Sequence, residues 1–166
     1  QRARARLFQA VELAGRTGVD VQGWKLVLYR GVKSDASMAY SQQITSGEPH
    51  VFPNTQGGFG LLPFRFPAGT LGSAGSRRVD GVALVNKLGQ VVQLLSYQGE
   101  FTALDGPAAQ MRSVNFGPAS ASSASLSLPI TPNGRSLQLQ GTGASYGDFQ
   151  WSPEPLVANL VCDIET

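Results

Sequence analysis

Residues Val79–Tyr97 read V-D-G-V-A-L-V-N-K-L-G-Q-V-V-Q-L-L-S-Y, and this stretch decides the fold. Two runs rich in β-formers, Val82–Val85 and Val91–Tyr97, flank a short polar connection, Asn86–Gln90. Gly89 inside that connection can take a positive φ without a Cβ clash. A link of three to five residues with a glycine predicts a hairpin. The first run is apolar on both faces, as expected of a strand buried between two layers. In the second, strict alternation places Val91, Gln93, Leu95 and Tyr97 on one face and Val92 and Leu94 on the other. The hairpin is therefore expected in the middle of a β-sandwich.

Composition agrees. Twenty glycines and ten prolines in 166 residues suit many short strands joined by turns and not a helical bundle. A single domain of this length buries roughly 70% of its extended surface and needs no metal or disulfide staple. The net charge is +2 with no extended basic stripe, so nucleic acid is not expected as a partner. No apolar run is long enough to span a bilayer. The lone cysteine, Cys162, reads as a small buried hydrophobe, with an intermolecular bridge or redox thiol as the alternative. The chain opens on Gln1 and not Met, as a processed product or part of something longer would.

Working outward from the hairpin, V-Q-G-W-K-L-V-L-Y-R-G (21–31) alternates Trp24, Leu26 and Leu28 with Lys25, Val27 and Tyr29 and closes at Gly31, a strand pattern. Leu61–Phe66 is a further strand in which Pro63 removes one N–H and favours an edge. A short strand is expected at Tyr40–Ile44 and another at Val114–Phe116. By propensity Leu7–Ala14 reads as a helix, and Asp105 caps a second short one with Pro107 in its first turn. Leu137 and Leu139 alternate inward in S-L-Q-L-Q, as do Phe149 and Trp151 in D-F-Q-W. The predicted core is thus Trp24, Leu26, Leu28, Val82, Leu84, Leu95, Leu137, Leu139, Phe149 and Trp151. At the front, Arg2, Arg4 and Arg6 line one side of an extended arm next to Phe8. This is a solvated arm or processed targeting remnant, or a docking strap for an acidic surface, with nucleic acid as the minor alternative.

Catalytic signatures fare poorly. Gly143-Ala144-Ser145-Tyr146-Gly147 matches the G-x-S-x-G elbow, but a strand pattern and not a helix follows it. The only histidine, His50, precedes the serine, against the chain order of that hydrolase fold. One His and one Cys lack zinc-ligand spacing. Asp80, Asp105 and Asp148 lie beside glycines and read as turn formers. Gly57-Gly58-Phe59-Gly60 lacks the residues of a phosphate loop. No catalytic residue, cofactor or metal is expected.

Together, V-E-L-A-G-R-T-G-V-D-V-Q-G-W-K-L-V-L-Y-R-G (11–31), D-G-V-A-L-V (80–85), V-V-Q-L-L-S-Y-Q-G-E-F-T-A-L-D-G-P-A-A (91–109), G-R-S-L-Q-L-Q-G-T-G (134–143) and Y-G-D-F-Q-W (146–151) resemble the lamin-tail domain family, in its extracytoplasmic bacterial and algal branch. The resemblance implies an all-β, immunoglobulin-like sandwich with long loops and at most one short helix. It replaces the helix at the front by a strand, Phe8–Ala14. It divides the chain into a basic arm (1–7), the sandwich (8–155) and a C-terminal segment (156–166) packed on the sandwich or on a neighbour. The implied role is a non-enzymatic module, a docking subunit of a larger protein assembly, with peripheral association with a membrane complex conceivable. The alternative is a free-standing secreted domain binding matrix, cell surface or carbohydrate. A secreted or organelle-lumen setting, such as a plastid or thylakoid lumen, fits the family better than the cytosol. The family opens with an additional strand that this chain is too short at its front to supply. Strand addition from another chain at the edge so left is the expected mode of contact.

Overall fold

The computed structural model describes residues 9–32, 34–55, 57–67, 70, 78–96 and 99–115, and the backbone of short strands at 135–136, 139–141, 149–151 and 156–157. Every regular element among them is a strand: β1 (Gln9–Arg16), β2 (Lys25–Val32), β3 (Asp35–Gln43), β4 (Phe59–Phe66), β5 (Arg78–Val85), β6 (Val91–Ser96), β7 (Thr102–Ala103), β8 (Val114–Asn115), β9 (Arg135–Ser136), β10 (Leu139–Gly141), β11 (Phe149–Trp151) and β12 (Leu156–Val157). The protein is all-β and mostly antiparallel. A six-stranded sheet runs β7-β3-β2-β5-β6-β8, and β1 pairs with β4 as a separate ribbon. Two further pairs, β10 with β11 and β9 with β12, come from the last third of the chain.

The central hairpin forms as the sequence predicts. Asn86 organises its turn by accepting the Leu88 and Gln90 amides on Oδ1 at 2.9 and 3.0 Å, and Gly89 takes φ 83°. One detail differs. The β5–β6 register steps from Leu84↔Gln93 to Val85↔Val91, so Val92 is a bulge residue. Val91 consequently packs with the cluster that holds Leu94, and Val92 is left 54% exposed. The alternation that grouped Val91 with Leu95 is corrected by that one extra residue.

The two faces of the sheet carry two cores. Leu26 and Leu28 of β2 face the ribbon and meet Leu62, Phe64 and Phe66 of β4, together with Val21, Ile44 and Phe52 from the loops. Val82, Leu84 and Trp24 are partly buried against this cluster, as are Val11 and Leu13 of β1. Trp24 is thus a flank of the core and not its centre, because it stands before the first ladder residue of β2. On the other face Val27, Tyr29, Ala83, Val85 and Leu94 are covered by Phe101, Ala103 and Ala108. β2 is buried on both faces because β3 and β5 flank it and both cores share it.

Residues 101–113 form a tight hairpin laid across that second face. Gln110 N donates to Ala103 O and Ser113 N to Phe101 O, at 2.8 and 2.9 Å. Its first arm continues as β7, parallel to β3, and its second as β8, parallel to β6. The two margins of the sheet are therefore bridged by one hairpin. Gly81 makes the seat for it: a Cβ there would run into the Leu95 carbonyl and come within 2.6 Å of the Phe101 ring.

Four local readings change. The segment over which propensity favours a helix, Leu7–Ala14, is strand β1 where it is described, as the resemblance implies, and Val11 and Leu13 alternate onto the core that holds Leu26 and Phe64. Asp105 heads a series of turns and no helix; its Oδ1 accepts the Met38 amide of β3 at 2.6 Å. Asp80 is no turn former. It lies inside β5 opposite Arg30, 2% exposed, with Oδ1 3.7 Å from Arg30 Nε. The strand at Tyr40–Ile44 also begins earlier, at Asp35, with a bulge that keeps Tyr40 opposite Leu28.

Candidate functional site

The ribbon has two outer edges, and they differ in chemistry. β1 and β4 pair in one unbroken register, Gln9↔Phe66 to Arg16↔Phe59. The next pair along, Thr17 with Gly58, is hydrogen-bonded, the Thr17 amide donating to the Gly58 carbonyl at 2.9 Å. Hydrogen-bonded and non-hydrogen-bonded pairs alternate in an antiparallel ladder. Counting back from Thr17, the residues of β1 that bond to β4 are Gly15, Leu13, Val11 and Gln9. The N–H and C=O groups of Ala10, Glu12, Ala14 and Arg16 therefore point away from β4, along the free edge. All four side chains are exposed. Among the described residues no strand lies on that side of β1.

The same count places Pro63, opposite Glu12, among the β4 residues whose backbone points outward. Its missing N–H costs the ribbon no bond and leaves the β4 edge one donor short, a device that discourages pairing there. The edge position predicted for Pro63 is the one it occupies. β1 carries no such block.

The large sheet is also incompletely edged. β8 covers β6 only at Leu95 and Ser96, so on the side away from β5 Val91–Gln93 have no neighbouring strand among the described residues. A shallow groove of about 250 Å³ opens there between Val91, Val92 and Leu94 on one wall and Met111 and Val114 on the other. Arg112 at its rim is engaged by Glu100, 2.7 Å away.

Of the chemistry-bearing residues, His50 and Asp20 meet. Asp20 Oδ1 lies 3.0 Å from His50 Nδ1 and accepts the Gln22 amide at 2.7 Å. The amide bond from Gln22 first, then His50, holds the Asp20 carboxyl below its usual range. The pair fastens two loops that are already laced together by Val21 N to His50 O and Phe52 N to Val19 O. It is a clasp at the surface, half open to solvent on the Asp20 side. Among the described residues no three His, Cys, Asp or Glu side chains gather as metal ligands would, and no helix is long and apolar enough to cross a membrane.

The buried Tyr29 hydroxyl donates to the Asp105 carbonyl at 3.1 Å and accepts the Ala108 amide at 3.0 Å, pinning the bridging hairpin to β2. Burial raises its pKa above the ordinary tyrosine value. In the sequence Tyr29 is marked only as a strand residue; nothing in a single alternating run signals a partner nearly eighty positions away.

Arg2, Arg4, Arg6 and Phe8 lie outside the described residues, as do Leu137, Gly143–Gly147, Asp148 and Cys162. Leu139, Phe149 and Trp151 stand in paired strands, Leu139 directly opposite Trp151, and only their backbone is described. No family model matches the chain, and neither a curated protein nor a solved structure is found to be similar to it.

Proposed function

We propose that the chain is a non-catalytic docking module, an immunoglobulin-like sandwich of the lamin-tail type, that receives an extended strand of a second polypeptide along β1 and so serves as a structural subunit of a larger assembly. The contrast between the two edges of the ribbon carries the reading. Pro63 blocks the β4 edge, whereas β1 offers outward donors and acceptors from Ala10 to Arg16 with small side chains between its charges. Strand addition uses that row of main-chain groups for affinity and the alternating side chains for selectivity. Natural sheets protect long edges, so an unblocked one of eight residues fits a surface meant to be covered.

The test places a photo-crosslinking residue at Ala14 and, as a control, at the exposed Leu88 of the central turn. In native extract the Ala14 position is expected to capture a second polypeptide, and the chain to migrate well above its 17.5 kDa mass. Ala14→Pro removes one outward N–H without touching a bond to β4, and should abolish both results while the fold persists. A monomer with no capture at Ala14, or equal capture at Leu88, overturns the proposal.

A further inference from the structure

The free edge of β1 is self-complementary. Its outward-pointing backbone belongs to Ala10, Glu12, Ala14 and Arg16, and the two charged side chains among them are exposed on the face turned away from the core. Among the described residues neither Glu12 nor Arg16 makes an ion pair. We propose that β1 pairs antiparallel with β1 of a second copy of this chain, about a two-fold axis through Ala14, so that Glu12 of each copy faces Arg16 of the other. This inference rests on the reading that β1 accepts a strand, and names the strand.

The register follows from elimination. Both edges must present outward groups to each other, which restricts pairing to even-numbered residues opposite even-numbered residues. A two-fold axis through Glu12 sets carboxylate against carboxylate, and one through Arg16 sets guanidinium against guanidinium; like charges directly opposite destabilise a sheet. An axis at Leu13 puts Glu12 opposite Ala14 and Arg16 opposite Ala10, leaving both charges without a counterpart. The axis at Ala14 forms two reciprocal Glu12–Arg16 pairs, with the smallest chiral side chain at the centre. Backbone bonds then join Ala14 to Ala14 and Glu12 to Arg16 in both directions. The Arg16 carbonyl already receives the Val19 amide at 3.2 Å and has a second lone pair for the new bond. Beyond Arg16 the chain turns at Gly18, whose φ of 80° ends the edge. The two ribbons become one sheet in the order β4-β1-β1-β4, and each outer margin ends on a strand carrying Pro63, so the assembly closes at two copies.

The experiment is sedimentation and light scattering of the purified 166-residue chain across a concentration series, with circular dichroism as the check on folding. The wild type is expected to double its 17.5 kDa mass as concentration rises, and less readily in high salt. Glu12→Arg alone and Arg16→Glu alone each place like charges opposite twice, and should weaken dimerisation roughly tenfold or more. The double exchange E12R/R16E should restore it. Ala14→Cys on a Cys162→Ser background, oxidised, should yield a disulfide-linked dimer, since paired Cα atoms of about 5.5 Å lie within disulfide reach; this arm stands even if a charge variant misfolds. A wild type that stays monomeric throughout, or a dimer indifferent to the charge exchange and not trapped at position 14, overturns the inference. Capture of a different polypeptide at Ala14 from native extract, with the purified chain monomeric, would overturn it while leaving the docking reading in place.

Discussion

Replacing Tyr29 by phenylalanine removes one oxygen from the centre of the fold. The ring keeps its place, 1% exposed and tilted against Phe101 at a centroid distance of 5.9 Å. Two hydrogen bonds go, each worth about 1 kcal/mol net. The larger cost falls on Ala108, whose residue is fully buried and whose amide has the Tyr29 hydroxyl as its acceptor. A buried N–H stripped of its partner costs about 1–3 kcal/mol. The Asp105 carbonyl is nearer to solvent and adds little. The sum is a loss of about 2–3 kcal/mol. In urea, with a slope of about 2 kcal/mol/M, the midpoint should fall by roughly 1 M with the slope unchanged. Hydrogen exchange at the Ala108 amide should accelerate more than at Ala83 in the sheet beneath. A second signature comes from alkali. Burial raises the folded-state pKa of Tyr29 above the ordinary tyrosine value of 10.0. Its contribution is therefore complete below pH 10 and is lost as pH rises toward the folded value. Wild type should lose stability on that limb more steeply than Tyr29→Phe. A midpoint shift worth less than about 0.5 kcal/mol, with the Ala108 amide still slow to exchange, would refute the claim that this hydroxyl pins the hairpin.

Gly81→Ala should cost about 1–3 kcal/mol by overpacking and, by near-ultraviolet dichroism, disturb the aromatic pair, because the new methyl meets the Leu95 carbonyl and the Phe101 ring. Phe64→Ala, at 2% exposure between the ribbon and the sheet, should cost about 3–5 kcal/mol in the same urea assay. Asp20→Asn should flatten the acid limb of the stability curve. Its carboxyl is held below the ordinary aspartate value of 3.8, so its contribution is present above that pH and is lost as pH falls through the folded value. If wild type and Asp20→Asn unfold with the same acid profile, the clasp with Gln22 and His50 contributes nothing.

The central hairpin and β2 were legible because their signal is local: alternating apolar residues, a glycine-bearing turn, and Pro63 marking an edge. What failed to show lay in relations between distant segments. The run L-F-Q-A-V-E-L-A has good helix formers, and only the partner strand β4 makes its alternation worth more than its propensity. D-G at 80–81 has the composition of a turn. It is a strand interior because Arg30 stands opposite the aspartate and Phe101 needs the missing Cβ of the glycine. The bulge at Val92 inverts one face assignment without leaving a mark in composition. The candidate site was the least legible of all. That Ala10, Glu12, Ala14 and Arg16 face outward is fixed by which pairs carry bonds to β4, a parity set by Thr17 and Gly58 and invisible in either strand alone.

The hairpin of residues 101–113 also sets an order of events. It joins β3 at Asp35 to β7 at Thr102, far along the chain, whereas β5 and β6 meet across a five-residue turn. Closing the longer loop costs more chain entropy and brings only two ladder pairs on that side. It has no platform until Val27, Tyr29 and Ala83 already form a surface. The clasping of the sheet's two margins is thus expected to come late in acquiring the native state, with Tyr29 uncapped and wet until it does.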